Sequence, residues 1–371
     1  MAERLRLGVL FGGRSGEHEV SLVSARSVLN TLDPEKYQIT QIGITLAGDW
    51  LVGDDVLDAL SNNNLVQLSP AVMLPVPARS DLYFLTQKDG EEIIRVFAEL
   101  DVIFPVLHGS YGEDGTMQGL FELNGLAYVG AGVLGSSVGM DKALFKDVMI
   151  ANQIPVVPSI LVHSSELDDM GRVLERVEQF GEYPLFVKPA NMGSSVGVSK
   201  CKDIEEAANG IQDAARYDRR ILVEKGINAR EIELSVLGNQ NSRVSVAGEI
   251  RPTAEFYSYE AKYHDDSSEL IIPADLSDEQ SGLLQEYALR AYHAIDCAGM
   301  ARVDFLVDKD SGEIYLNELN TIPGFTPISM YPKLWEASGL PYAELIDELI
   351  DLAMERKTEK DQIVRKYGFE A

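Results

Sequence analysis

Two short apolar segments near the carboxyl end constrain the fold more than any other part of the chain. Ala301-Arg302-Val303-Asp304-Phe305 and Leu316-Asn317-Glu318-Leu319-Asn320 flank a stretch carrying Asp310-Ser311-Gly312. Two strands joined by a short loop with glycine form a hairpin. With residues 310–312 as the loop, Asp304 falls opposite Glu318 and Arg302 opposite Asn320. Strand alternation then puts these four polar residues on one face and Val303, Phe305 and Leu319 on the other. Directly opposed carboxylates, with Cβ atoms about 4.5–5.5 Å apart, repel each other, so something cationic belongs between them. Oxygen ligands from Asp304, Glu318 and Asn320, without His or Cys, suit Mg²⁺. Arg302 beside them suits a developing anion. A solvated face salt-bridged by Arg302 is the plainer alternative, but it gives no reason to set two acids together above an apolar underside.

Upstream, Leu5 to Phe11 reads as a buried strand closed by Gly12-Gly13, followed by an amphipathic helix with Leu22, Ala25, Val28, Leu29 and Leu32 on one side. Tyr37 to Ile44 completes a βαβ unit, and Asp101 to Leu107 is a further apolar strand. In open parallel sheets, ligands collect beyond the carboxyl ends of the strands, so the turns at Gly12 and Gly109 lie where a substrate can sit. This α/β unit with an open parallel sheet spans residues 1–130. Residues 131–227 form a central unit with a helix capped by Asp141, a strand ending Phe186-Val187-Lys188 and another beginning near Val198. From 228 to 371, strands from Glu231 to Leu237 and from Arg243 to Ile250 precede a helix over about 277–297, an α+β pattern. Residues 257–273 read as a long lid loop. The stretch 45–100 carries no recognisable motif.

The 371 residues, 45% of them apolar, suffice for two or three domains, and the formal net charge is −27. That surplus of carboxylate repels phosphate backbones and anionic lipid, which argues against nucleic acid or a membrane as partner. The apolar run at the amino end is too short for a secretion signal or a spanning helix, so a soluble cytoplasmic protein is expected. Cys201 and Cys297 lie far apart without metal-spaced neighbours and read as two reduced thiols.

Lys188 ends a strand and is followed by the small-residue loop Asn191 to Gly197, whose N–H groups and hydroxyls, Ser194 and Ser195 among them, can meet phosphate oxygens. The lysine precedes the loop, so this is not a Walker A motif. Together with Lys142 at a helix start and the magnesium face, it makes a nucleoside triphosphate the simplest common ligand. Glu224 and Glu231 suit an adenine amino group or ribose hydroxyls, although glutamates at strand ends are commonplace. Glu17 stands just before a helix, where an acid also serves as a cap-region residue. His108 and His18 are of the residue type most often used as a general base, yet isolated histidines more often act as hydrogen-bonding supports.

Taken in order, these segments resemble D-alanine–D-alanine ligases across nearly the whole chain. The resemblance rests on Glu-His-Glu-Val-Ser at 17–21, His-Gly-x-x-Gly-Glu-Asp-Gly-x-x-Gln-Gly at 108–119, Met-Asp-Lys at 140–142, Val-Lys-Pro at 187–189 and Gly-Ser-Ser-Val-Gly at 193–197. It continues with Glu-Ala-Lys-Tyr at 260–263, Ala-Arg-Val-Asp at 301–304 and Asn-Glu-Leu-Asn-Thr-x-Pro-Gly-Phe-Thr at 317–326. Many ordered matches carry weight that no single one has. The resemblance implies a three-domain ATP-grasp fold with ATP held by Lys142, Lys188, Ser194, Ser195, Glu224, Ile227, Glu231 and Lys262. Asp304, Glu318 and Asn320 would bind two Mg²⁺, with Mn²⁺ able to substitute. Glu17, linked to Ser194 and Tyr263, would receive the first D-alanine's ammonium group, and His108 would also face substrate. Arg302 and the Gly324 N–H would stabilise the oxyanion, while Ser329 and Met330 would hold the second carboxylate. The implied activity is ATP-dependent ligation of two D-alanines for peptidoglycan precursors by a homodimer. A ligase accepting D-lactate as second substrate is the nearest alternative, and a non-catalytic ATP-binding regulator is the alternative of another class.

Overall fold

The structure is a computed structural model that describes residues 4–77, 79, 81–251, 269–326 and 328–364. Leu5–Gly12 (β1) begins an eight-stranded sheet and is followed by His18–Thr31 (α1), Tyr37–Ile44 (β2), Trp50–Val52 (β3), Val56–Ser61 (α2) and Ser69–Met73 (β4). Asp81–Lys88 (β5), Glu91–Glu99 (β6), Val102–Leu107 (β7), Thr116–Asn124 (α3) and Ala127–Tyr128 (β8) complete it. The order is β6-β5-β4-β3-β2-β1-β7-β8. β2, β1 and β7 run parallel, as the apolar runs predict, and β8 adds a further parallel strand beside β7. The sheet is nonetheless mixed rather than wholly parallel. The stretch 45–100, which carries no motif, folds into β3 to β6 and extends the sheet as an antiparallel meander.

The second sheet follows Val133–Met140 (α4) and Lys142–Ala151 (α5). Its elements are Ser159–His163 (β9), Met170–Phe180 (α6), Leu185–Pro189 (β10), Ser199–Cys201 (β11), Ile204–Ala214 (α7) and Arg220–Lys225 (β12). It is antiparallel in the order β11-β10-β12-β9. Val173, Val177 and Ile211 from the two helices pack with Leu185, Val187, Ile221 and Val223 on one face. Alternation leaves Phe186, Lys188, Leu222 and Glu224 on the other. The word Gly-Ser-Ser-Val-Gly occurs once inside α4 and once in the loop after β10, so the two copies share no structure.

The third sheet contains Ala229–Gly238 (β13), Arg243–Val244 (β14), Gly248–Arg251 (β15), Glu269–Ile271 (β16), Gly299–Asp308 (β17) and Ile314–Asn320 (β18). Its order is β16-β15-β13-β17-β18, with β14 beside β13. Asp278–Ala294 (α8) is capped by Ser277, which accepts from the Gln280 N–H, and Leu284, Ala288 and Ala291 on its inner face are fully buried. Of the expected lid, residues 257–268 lie outside the described residues, whereas β16 forms the sheet's edge by pairing with β15.

Met330–Ala337 (α9) and Tyr342–Asp361 (α10) end the described chain. α10 returns to the first sheet, where Leu345, Ile346, Leu349 and Ile350 share a core with Leu7, Val9, Phe104 and Val106. Asp347 accepts a hydrogen bond from Tyr37 Oη at 2.6 Å and pairs with Lys36 at 2.6 Å. Leu349→Ala, which hollows out this shared core, is expected to destabilise the protein by about 2–5 kcal/mol. Leu123→Ala, at a side chain 61% exposed, should leave it unchanged. Calorimetric melting of both variants checks this, and equal melting temperatures would refute the packing role of α10.

Candidate active site

The β17–β18 ribbon sets Arg302 opposite Asn320 and Asp304 opposite Glu318, as the spacing predicts. The route to that register differs from expectation. The turn takes in residues 309–312, with Gly312 N–H donating to Asp308 O at 2.9 Å, and a bulge at Asn317 restores the offset. Arg302 lies along Asp304, Nε to Oδ1 at 2.8 Å and Nη2 to Oδ2 at 2.7 Å, and its Nε is also 3.0 Å from Glu233 Oε2. Burial alone would lower the Arg302 pKa, but Asp304 and Glu233 outweigh it and hold the guanidinium well above its ordinary value. Arg302 is therefore a fixed cation. Glu233, opposite Asp304 on β13, is a third carboxylate on this face. Sequence reasoning misses it, although alternation from Glu231 would have found it.

On the facing sheet, Lys188 and Glu224 share a surface of β10 and β12. Glu224 is buried between two ammonium groups: Lys188 pairs with Oε2, and Lys146 Nζ stands 2.9 Å from Oε1. Burial works to raise the Glu224 pKa, yet Lys188 and Lys146 hold it below the usual carboxylate range. For Lys188, burial is outweighed by Glu224, Glu318 and Glu231, and its pKa rises. For Lys146, burial prevails over Glu224 and the pKa falls. Lys146 is absent from the sequence-derived set, although it follows Lys142 by one helical turn and so shares its side of α5. Lys142 opens α5, where Asp141 caps the helix by accepting from Leu144 N–H at 2.9 Å. Its Nζ donates to Met192 O at 2.8 Å and lies 3.6 Å from Glu318 Oε2, joining the small-residue loop to the ribbon.

The loop after β10 is held in an unusual conformation, with Ser194 at φ +49° and Ser195 at φ +59°. Non-glycine residues there carry roughly 1–2 kcal/mol of strain each, a cost that concentrates at functional sites. The strain brings the Ser194 hydroxyl to Glu17 Oε1, where it donates a hydrogen bond. Glu17 itself fits between two glycines. A Cβ on Gly109 would overlap Glu17 Oε2, and one on Gly193 would come within 2.7 Å of it. The Gly109 and Gly193 turns thus make room for one carboxylate.

His108 is 4% exposed and both ring nitrogens have partners: Nδ1 donates to Ile322 O at 3.1 Å, and Nε2 lies 3.0 Å from Ser24 Oγ. A carbonyl can only accept, so Nε2 accepts from the serine. Burial, against the pull of Glu17, lowers the imidazole pKa. His18 Nδ1 likewise donates to Gly13 O at 2.9 Å. Glu113, partly buried, accepts from Gly109 N–H at 2.7 Å and from Ile322 N–H at 3.1 Å. Burial and the neighbouring Glu17 push its pKa up to about 8. Glu113 stands inside the 108–119 motif, but that motif does not show its role, because the Ile322 N–H that it holds is distant in sequence.

His108 and Glu113 together hold the backbone on both sides of Ile322, its carbonyl and its N–H, which fixes the start of the segment leading to Gly324 and Ser329. Ser329 Oγ accepts from Thr326 N–H at 3.0 Å, and a Cβ on Gly324 would lie 2.8 Å from that oxygen. Met330 is the first residue of α9, so its N–H is among those a helix leaves unpaired. Ile227 lies in the segment between β12 and β13, and Glu231 lies on β13 on the Glu233 side. Lys262 and Tyr263 fall outside the described residues.

Asp304, Glu318 and Asn320 form a donor set that fits a hard divalent cation. Among the described residues, no three His, Cys, Asp or Glu side chains gather closely enough to hold an ion by themselves, so the Asn320 amide oxygen and ligands from elsewhere would be needed. Asn320 Nδ2 donates to Asp304 Oδ2 at 3.0 Å, and the amide would have to turn. Among the described residues, no helix is long and apolar enough to cross a membrane. Burial raises both thiols, Cys201 to about 11 and Cys297 to about 12, which leaves neither activated as a nucleophile.

Facing sheets that bring lysines and an acidic ribbon to one cleft define an ATP-grasp protein, and the solved structures it superimposes on share that architecture. The D-alanine–D-alanine ligase from Coxiella burnetii aligns with a TM-score of 0.81 at 38% identity, covering 97% of each chain. The VanG D-Ala:D-Ser ligase from Enterococcus faecalis aligns at 0.83 and 35% identity, over 95% of this chain and 100% of that one. The family models for the D-ala D-ala ligase N-terminus and C-terminus match residues 6–131 and 148–351. Curated D-alanine–D-alanine ligases from Thermoanaerobacter sp. and Caldicellulosiruptor bescii are each 50% identical, over 96% and 99% of this chain and 99% of theirs. The chain belongs to the D-alanine–D-alanine ligase family.

Glu113 gives a pH test of this geometry. Its folded pKa lies above the ordinary 4.5, so the folded state binds more protons than the unfolded one between 4.5 and about 8, and stability falls as pH rises through that window. Glu113→Gln is expected to flatten that decline in melting temperature of the ligand-free protein, and identical slopes would contradict the assignment.

Proposed function

We propose that this chain is an ATP-dependent ligase that joins two D-alanines through a D-alanyl phosphate. The reading is carried by one juxtaposition: Lys142 and Lys188, which suit phosphate oxygens, lie beside an acidic ribbon whose Arg302 is a fixed cation. Glu17, fixed by Ser194 and seated between two glycines, receives the first ammonium group. The carboxylate of that first D-alanine is then free to attack the terminal phosphoryl group, forming the D-alanyl phosphate as ADP leaves. The second D-alanine's amine displaces phosphate from the acyl carbon, with Arg302 and the Gly324 N–H facing the oxyanion. Ser329 and the Met330 N–H hold the second carboxylate. The nucleophiles belong to the substrates, which agrees with two inert thiols.

The nucleotide's other contacts are Ser194, Ser195, Glu224, Ile227, Glu231 and Lys262, and Tyr263 joins the Glu17–Ser194 pair. His108 serves by holding the Ile322 segment against the substrate. Two Mg²⁺ held by Asp304, Glu318 and Asn320 would neutralise phosphate oxygens. We further assign three units, 1–130, 131–227 and 228–371, and a cytoplasmic homodimer. The similarity to a D-Ala:D-Ser ligase keeps the second substrate open to test, along with D-lactate.

Phosphate release should depend on D-alanine, with L-alanine, D-serine and D-lactate far less effective. Dominant turnover with D-serine or D-lactate would reassign the second substrate, and ATP binding without D-alanine-dependent release would make the protein a regulator. Glu318→Gln should lose on the order of 10²-fold in turnover at unchanged melting temperature. Near-normal turnover would contradict the metal assignment. Gly193→Ala needs no left-handed backbone and acts through the clash with Glu17, so it should raise the D-alanine KM roughly tenfold or more.

A further inference from the structure

Lys146 is 2% exposed and Glu224 is 3% exposed. The Lys146 ammonium stands 2.9 Å from Glu224 Oε1 and donates a hydrogen bond to Val157 O at 2.9 Å, while Lys188 engages the other carboxylate oxygen. One buried carboxylate shared by two ammonium groups leaves a net positive charge. Without Lys146, the full charge of Glu224 would fall on Lys188 alone, and the pair would be neutral toward an approaching anion.

We infer that Lys146 is a positioning residue for the nucleotide: it takes up part of the Glu224 charge, so that the Glu224 cluster keeps a net positive charge at Lys188 toward the phosphates. This rests on the reading of Lys188 as a nucleotide ligand. A purely structural role, tying α5 to the segment before β9 through Val157 O, predicts lost stability and similar effects on both substrates. The charge-sharing role predicts an effect confined to ATP and dependent on Glu224, because buried ionic partners couple strongly.

The test measures the ATP and D-alanine KM values of the full chain by D-alanine-dependent phosphate release, with melting temperatures recorded alongside. Lys146→Met is expected to raise the ATP KM roughly tenfold, with the D-alanine KM within about twofold, and to do far less in a Glu224→Gln background. Lys146→Arg, which keeps the charge, should stay near wild type in ATP KM, and this decides the matter if Lys146→Met does not fold. Equal rises in both KM values, an undiminished effect in the Glu224→Gln background, or a large ATP defect in Lys146→Arg would overturn the inference. Lys188→Met serves as the control: an unchanged ATP KM there refutes the nucleotide reading itself, whereas a large rise there with none in Lys146→Met refutes only the role of Lys146.

Discussion

A charged side chain withdrawn from water persists as an ion only beside a partner. The two sheets that face the site meet this requirement with inverse arrangements. On the four-stranded sheet, the Glu224 carboxylate sits between Lys146 and Lys188. On the six-stranded sheet, the Arg302 guanidinium sits between Asp304 and Glu233. The first triad carries a surplus positive charge and suits phosphate oxygens, and the second a surplus negative charge. With Glu318 and Asn320 beside it, the second suits a hard cation. A chain of net charge −27 cannot draw anionic substrates by its overall field, so local cations held by buried acids must do it.

Glu17, His108 and Glu113 come from the loops of the first sheet, and a single residue, Ile322, links them to the ribbon. Glu113 accepts the Ile322 N–H and His108 donates to the Ile322 carbonyl, while Ser24 contacts both His108 and the Phe325 N–H, the latter at 3.4 Å. Loop 108–113 therefore fixes where β18 leads after Asn320. The packing of α10 on the first sheet, with Tyr342 Oη donating to Phe325 O at 3.0 Å, braces the same segment from the other side. Glu17, at the head of α1, and the acidic ribbon of the third sheet thus keep a set relation.

Much of this was legible in the residues. The polar face of the ribbon follows from alternation alone, and it survived a turn one residue longer than expected because the Asn317 bulge compensated. Asp141 capping, the buried face of α8 and the strand at Lys188 also follow from local rules of capping and periodicity. Stretch 45–100 did not yield, because its strands are short or exposed and lack the continuous apolar runs that mark a buried parallel strand.

The sequence by itself determined which residue types stand on which face of the periodic helices and strands outside 45–100, and hence the acidic ribbon and the placing of the lysines and glycine turns, because those depend on periods of two and 3.6 residues. The tertiary structure alone decided that Glu224 is shared by two lysines, that Glu113 grips a peptide some two hundred residues away, and that Glu17 lies between Gly109 and Gly193. These contacts join segments remote in the chain, and no local period encodes which distant group will neutralise a charge once water is excluded.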